Sequence, residues 1–334
     1  MQTGFLLQKA KIALTGKEGL NMPVVDAHCD TLTILASQKR SLGTESTNGH
    51  LDLPRLRKGG VNVQFFAIFV GPEYSSSPVK YTNQIITLFN EEIQANQDFI
   101  KHVTSSNDIK ETLAAQKTCA VLTIEGGEAL NGQIEQLKEY YHYGVRALTL
   151  TWNGRNDLAD GVGMGAGAGG LTNFGRQVVQ SMASLGMIID VSHLAEPGFW
   201  DVMDEVKVPI VASHSNCASV CNHPRNLTDK QIKAIAASGG VIGVTYVPQF
   251  IDFHQPTIDR LLDHIDHLYK VGGVSCIGLG SDFDGIDEPP DGLHDASVAV
   301  PNIINGLTQR GYKTSEIEKI LGDNWLRLFK EVCG

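Results

Sequence analysis

Val24-Val25-Asp26-Ala27-His28-Cys29-Asp30 is the stretch on which the fold assignment turns. Two β-branched residues start an extended run, and the run ends in an imidazole and a carboxylate two residues apart. Residues i and i+2 of a strand share a face, so a ring nitrogen of His28 and an oxygen of Asp30 can converge on one point, which is the geometry of a metal chelate. A His-x-Asp tripeptide alone is a common chance pattern. It gains weight here because further metal-capable residues close or directly follow apolar runs along the chain.

Those runs cover residues 24–28, 61–69, 118–125, 145–151, 187–192, 210–213, 241–246 and 276–282. Most are apolar on successive rather than alternate positions, as expected of strands covered on both faces. Helical spacing appears between them, in Ile86, Phe89 and Ile93 and again in Leu261, Leu262, Ile265 and Leu268. Thr228 with Gln231 reads as a capping box and Gly239 as the stop, and Ser315 with Glu318 repeats the box before the last helix. Strand–helix alternation of this length predicts an α/β fold of the (β/α)8 TIM-barrel type, although a doubly wound sheet has the same local pattern.

The candidate ligands decide between the two. Glu125 ends the third run, His193 follows the fifth, His214 follows the sixth and Asp282 ends the eighth. In a barrel all C-terminal strand ends ring one mouth, whereas an open sheet would spread these residues along a row. The sequence is therefore read as one barrel domain over residues 24–334, with residues 1–23 as an extension or cap.

Three imidazoles and three carboxylates suit zinc or a similar borderline divalent ion, and they are too many for one open catalytic site, so two zinc ions are expected. Glu125 is the natural bridge, with His28 and Asp30 on one ion and His193 and His214 on the other. Two divalent ions set against Asp30, Glu125 and a bridging hydroxide leave net positive charge for a developing oxyanion. Asp282 is left as the proton shuttle. Arg225 follows His214 on a loop at the same mouth, where its guanidinium can hold a substrate carboxylate in bidentate fashion.

Composition limits the partners. With 334 residues, 42% hydrophobic content and a formal charge of -10, the chain offers no field for nucleic acid or an anionic membrane, and a small-molecule substrate fits better. No apolar run is long enough to span a bilayer, and the N-terminal residues lack the pattern of a secretory signal, so a cytoplasmic protein is expected. Homodimerisation is compatible with the sequence, which identifies no interface. The six cysteines lack the density of a disulfide scaffold and are expected to be reduced.

Taken together, Asp26-Ala27-His28-Cys29-Asp30, the 49–55 segment Gly-His-Leu-Asp-Leu-Pro-Arg, Glu125-Gly126-Gly127, Leu148-Thr149-Leu150-Thr151, Asp190-Val191-Ser192-His193, Ser213-His214-Ser215, Pro224-Arg225-Asn226 and Gly280-Ser281-Asp282-Phe283-Asp284-Gly285 give a specific pattern. From about Val24 to the C-terminus the chain resembles the zinc-dependent renal or membrane dipeptidases, metallopeptidases related to the amidohydrolase barrels. The resemblance implies a binuclear zinc site with the ligand assignment above, Asp282 as acid/base and Arg225 on the terminal carboxylate. The activity it implies is attack of a metal-bridging hydroxide on the single peptide bond of a dipeptide, with a D-configured C-terminal residue tolerated and β-lactams opened by some members. Arg225, Asn226, Trp152 and Asn156 are the expected substrate contacts. Trp152 is a departure, because well-known animal members carry a histidine there, and an indole can neither accept a proton nor become cationic.

Other readings have their own signatures. A barrel metallohydrolase of lactones, cyclic amides or phosphoesters would have no use for Arg225 on a neutral substrate, and a catalytically silent binding protein would tolerate loss of Asp282 or Glu125. The run Gly165 to Gly170 matches G-x-G-x-x-G but lies far beyond the nearest strand end, so it is read as a loop at the barrel mouth. Cys217 with Cys221, and His264 with His267 off the apolar helix face, are read as structural or solvated pairs, while His223 is the nearest competitor as a ligand.

Overall fold

Parallel pairing follows from the runs that are apolar on successive residues. In the computed structural model, which describes residues 22–38 and 40–334, every residue of Thr118–Glu125 is buried, as a strand with its other face under helices must be. Of residues 1–23, expected as an extension or cap, 1–21 lie outside the described residues. The strands are β1 (Val24–Asp26), β2 (Val61–Phe69), β3 (Ile100–His102), β4 (Thr118–Glu125), β5 (Val145–Thr149), β6 (Ile188–Asp190), β7 (Ile210–Val211), β8 (Ile242–Val244) and β9 (Ile277–Leu279).

Eight of them form the staves of a barrel in the order β1, β2, β4, β5, β6, β7, β8, β9, and β9 returns to β1 where Leu279 pairs with Asp26. The seam between β7 and β8 is closed just past the end of β7, where Ala212 bridges Ile242, donates its N–H to Val241 O at 3.1 Å and accepts from Gly243 N–H at 2.8 Å. Glycine is required at this seam, since a Cβ at Gly243 or Gly280 would lie 2.0 or 1.7 Å from the carbonyl oxygen of Ser213. The ninth strand, β3, pairs with the first three residues of β4, on the edge that β5 takes over from Leu122. The sequence reading missed β3 because Ile-Lys-His carries no apolar run.

Helices cover the outside. Thr228 caps Asp229–Ala237 in the expected box with Gln231, and the chain leaves that helix through Gly239 at φ 82°. The box expected at Ser315 and Glu318 is displaced, because the helix Thr314–Glu318 starts earlier and Glu316 accepts from Lys313 N–H at 2.8 Å. The barrel interior is stoppered from below by the C-terminal helix Asn324–Cys333. Its Trp325, Leu328 and Phe329 pack with Phe65, Val25 and Val121, and the Trp325 indole N–H reaches Leu279 O at 3.1 Å. With that end filled, the opposite mouth is the end left for chemistry.

Candidate active site

Each candidate ligand sits where a strand runs out. Glu125 is the last residue of β4, flanked in register by Phe69 of β2 and Thr149 of β5. His28 and Asp30 lie on an extension of β1 that stays bonded to the continuation of β9, with Asp282 N–H donating to His28 O at 3.2 Å and Asp30 N–H to Phe283 O at 2.9 Å. His193, Asp282 and Asp284 turn at φ 65°, 67° and 66°. That left-handed conformation is costly for residues with a side chain and recurs where a side chain is needed at a site.

The side chains converge. His28 Nε2 lies 3.5 Å from Asp30 Oδ2, 3.5 Å from Glu125 Oε2 and 3.8 Å from Asp282 Oδ1. The other oxygen of Glu125, Oε1, lies 2.9 Å from His193 Nε2 and 3.6 Å from His214 Nε2, and those two ring nitrogens are 2.8 Å apart. Zinc–ligand bonds of about 2.1 Å in a tetrahedron imply ligand–ligand edges of about 3.4 Å. The separations of His28 and His214 from their carboxylates match that spacing, while the His193 edges are tighter.

Hydrogen bonds around the cluster fix which nitrogens carry protons. His193 Nδ1 lies 2.9 Å from Asn153 Oδ1, which only accepts, so this nitrogen bears the hydrogen. His214 Nδ1 lies 2.8 Å from Ser213 Oγ, whose own hydrogen goes to Asp190 Oδ2 at 2.5 Å, so here too Nδ1 donates. Both Nε2 atoms therefore aim lone pairs into the same space, an arrangement relieved by a shared cation. His28 Nε2 and Asp30 Oδ1 are buried without a hydrogen-bond partner among the described residues. Among the described residues, two groups bring ligand atoms within 4.8 Å of one another and could hold a metal ion, His28 with Glu125 and His214, and His28 with Asp30 and Asp282.

The electrostatics are those of a cation site. Burial opposes charge on His28, yet the carboxylates of Glu125 and Asp30 push its pKa well above the ordinary value. Burial also opposes ionisation of Glu125, but the charge of His28 holds it well below the carboxylate range. Burial lowers His193 to about 4, with Arg225 adding to the effect, and keeps His214 well below its usual value. Asp282 is pushed up to about 8 by burial and by Asp30 and Glu125, against the pull of His28.

A further layer of carboxylates holds these ligands. Asp190 accepts from Thr149 Oγ1 at 2.6 Å, from Ser213 Oγ, and from the N–H groups of Ser192 and Ser213 at 2.9 Å. Asp26 accepts from Ser281 N–H at 2.8 Å and from its hydroxyl at 2.6 Å, and Asp284 accepts from Thr31 Oγ1 at 2.7 Å and His50 N–H at 2.6 Å. The sequence reading gave no role to Asn153, Asp26, Asp190, Ser213 or Asp284. Charged residues inside otherwise apolar runs, as at Asp26 and Asp190, were the available signal.

Two cavities open on the cluster. The larger, of about 360 Å³, is lined by Asp30, Glu125, His193 and Asp282 and walled by Phe69, Trp152, Val247, Phe250 and Ile286. A smaller one of about 180 Å³ shares His193 and contains Arg225, His223 and Asn226. Arg225 is fully buried; it donates from Nη2 to His214 O at 3.0 Å, and burial lowers its pKa to about 10. No carboxylate among the described residues lies within ion-pair distance of it.

Three expected substrate contacts do not line the larger cavity: Arg225, which lies in the smaller one, Asn156 and Asn226. Asn156 spends its side chain on loop contacts, donating to Glu128 Oε2 in the segment after β4 and to Leu150 O while accepting from the N–H groups of Leu158 and Ala159. Asn226 donates to Cys221 O and Phe250 O, both at 2.8 Å, and so ties two loops together. His223 stays outside the cluster, its Nδ1 accepting from Arg225 N–H at 3.1 Å. His264, expected off the apolar face, is fully buried because its ring links two backbone groups, whereas His267 pairs with Asp229 at 2.7 Å. The Gly165 to Gly170 run lies in the loop that follows β5 and overlaps the end of a short turn of 3-10 helix, Val162–Gly167.

No helix among the described residues is long and apolar enough to cross a membrane. Comparison with known proteins adds the lineage. Residues 19–333 match the model of the membrane dipeptidase family, peptidase family M19. The chain is 32% identical over 335 aligned residues to the Schizosaccharomyces pombe protein named uncharacterized dipeptidase C965.12, covering 92% of this chain and 80% of that one. Among solved structures it is similar to dipeptidase AC, a metallopeptidase of family M19, with 28% identity and a TM-score of 0.88 over 94% of this chain and 99% of the other. A Rhodobacter sphaeroides metallopeptidase liganded with a phosphinate mimic of the dipeptide L-Ala-D-Ala gives 27% identity and a TM-score of 0.86 over 93% and 99% of the two chains. The fold, the ligand set at the barrel mouth and the match across nearly the whole sequence agree: this chain belongs to the membrane dipeptidase family, peptidase family M19.

Proposed function

We propose that this M19 dipeptidase uses two zinc ions to hydrolyse dipeptides with a free C-terminal carboxylate, including those with a D-configured C-terminal residue. The observation that carries the reading is Glu125, one oxygen of which faces His28 while the other faces His193 and His214. Zinc in the two positions supplies positive charge that polarises the scissile carbonyl and activates the attacking water. Asp282, at the rim of the larger cavity beside Asp30, is placed to take the proton from that water and deliver it to the departing amine. Arg225 anchors the substrate carboxylate, because a buried guanidinium with no carboxylate partner is an anion site in waiting. Acceptance of a D residue is supported by the ligand held by the Rhodobacter sphaeroides relative.

Hydrolysis of L,L- and L,D-dipeptides by zinc-loaded protein, beside their C-terminal amides and a chelator-treated control, tests the reading. Chelator-sensitive cleavage of the free acids, with the amides poor, is expected. Absence of cleavage from protein carrying two metals per chain would refute it.

A further inference from the structure

The apolar wall of the larger cavity has a definite position around the barrel. Phe69 ends β2 and Trp152 follows β5, the two staves on either side of β4, so their rings flank Glu125. The rings contact each other, with centroids 5.2 Å apart and planes at 59°, which is the offset geometry aromatic pairs favour. Both residues are only half-buried although they line the cavity. Across the mouth, on the β7 and β8 side, Arg225 sits 5.3 Å from the centroid of the Phe250 ring. Arg225 lies in the smaller cavity, which shares His193 with the larger one, so the aromatic pair and the guanidinium stand on opposite sides of the barrel mouth.

Resting on the dipeptidase reading above, we infer that Phe69 and Trp152 form the seat for the side chain of the substrate's N-terminal residue and select an apolar one. With the terminal carboxylate held at Arg225 and the peptide bond over Glu125, the N-terminal residue extends toward the β2–β5 side. Among the described residues, no charge lining the cavity there is free to meet an ionic side chain. The carboxylates lining the cavity belong to the ligand cluster or, in Asp284, are occupied by Thr31 and His50. Trp152 has ring contacts with Phe69 and His193, and none of the described residues accepts a hydrogen bond from its indole N–H. It thus offers the substrate mainly apolar area, and it does so at the position where the sequence departs from the histidine of well-known animal members.

Steady-state kinetics on X-Ala dipeptides, with X as Leu, Phe, Ala, Ser, Asp or Lys, and on Ala-X counterparts, tests the seat in the metal-loaded enzyme. Leu-Ala and Phe-Ala are expected to exceed Asp-Ala and Lys-Ala in kcat/KM by about 10- to 150-fold, the effect of burying one large apolar side chain. The difference should reside mainly in KM, because the contact is the same in ground and transition states. Trp152→Ala and, independently, Phe69→Ala should bring Leu-Ala close to Ala-Ala, with thermal melts reporting whether each variant folds. Cleavage without preference at X, or a preference that follows the C-terminal residue, would overturn the inference while leaving the dipeptidase reading intact. Failure to cleave any dipeptide would overturn both.

Discussion

Lowering the pH should loosen the loop that carries Arg225, and the cause is one buried histidine. His264 lies on the helix Ile258–Gly272, where its Nδ1 accepts from Cys217 N–H at 3.1 Å and its Nε2–H donates to Ile251 O at 2.9 Å. Those partners belong to the segment leading to Arg225 and to the short helix that carries Phe250. The second proton would face the Cys217 N–H donor, and burial lowers the pKa of the ring to about 4 from the ordinary 6.5. The folded-state pKa is depressed, so the unfolded chain takes up the proton first. The stability His264 contributes is then complete above about pH 6.5 and lost as pH falls toward 4. A shift of this size is worth about 3 kcal/mol in full and about 2 kcal/mol by pH 5. Urea denaturation of the native protein and of His264→Gln at several pH values between 5 and 7.5 isolates this effect, since other titrating groups cancel in the difference. The native protein should lose about 2 kcal/mol relative to the variant over that range. A difference that is flat or of opposite sign would show that His264 is not held neutral by its two backbone partners.

Three further outcomes are expected. Glu125→Gln removes the charge shared by both positions, so metal content measured by elemental analysis should drop below two per chain and hydrolysis should fall at least about 100-fold; two tightly held ions in the variant would contradict a bridging role. Asn153→Ala frees the ring of His193 to turn, and metal affinity read by chelator competition should weaken about 10- to 100-fold. Unchanged affinity would make the Asn153 contact incidental. Gly285→Ala places a Cβ 2.2 Å from Asp30 Oδ2 and 2.5 Å from Asp282 Oδ1, so metal binding and activity should suffer while the melt stays near that of the native protein; full activity would mean that the loop yields without moving the carboxylates.

The parts of this site that were legible in the sequence share one property: their positions follow from local geometry. His28 and Asp30 share a strand face whatever the rest of the chain does, and Glu125, His193, His214 and Asp282 adjoin apolar runs that mark strand ends. What escaped depends on contacts between distant segments. Nothing about Asn153 as a loop residue reveals that it meets a ring 40 positions later, and nothing in the spacing of helix Ile258–Gly272 reveals that His264 has backbone partners waiting for it. Asn156 shows the converse error. An asparagine just past a strand end looks like a substrate contact, yet three of its hydrogen bonds hold its own loop in shape and a fourth ties that loop to Glu128, a use for which short amide side chains are well suited.

The cost of assembling the centre is borne next to where it arises. His193, Asp282 and Asp284 each keep a left-handed backbone, at about 1–3 kcal/mol. The carboxylates just behind them are multiply bonded to the same turns. Asp190 grips the N–H groups of Ser192 and Ser213, which precede His193 and His214, and Asp26 grips Ser281, which precedes Asp282. Each charged acceptor receives bonds worth about 1.5–3 kcal/mol apiece, enough to offset the turn it adjoins. Asp190 and Asp26 close the apolar strands β6 and β1, so in each case the strand supplies the direction and its terminal carboxylate holds a turn from which a candidate ligand projects.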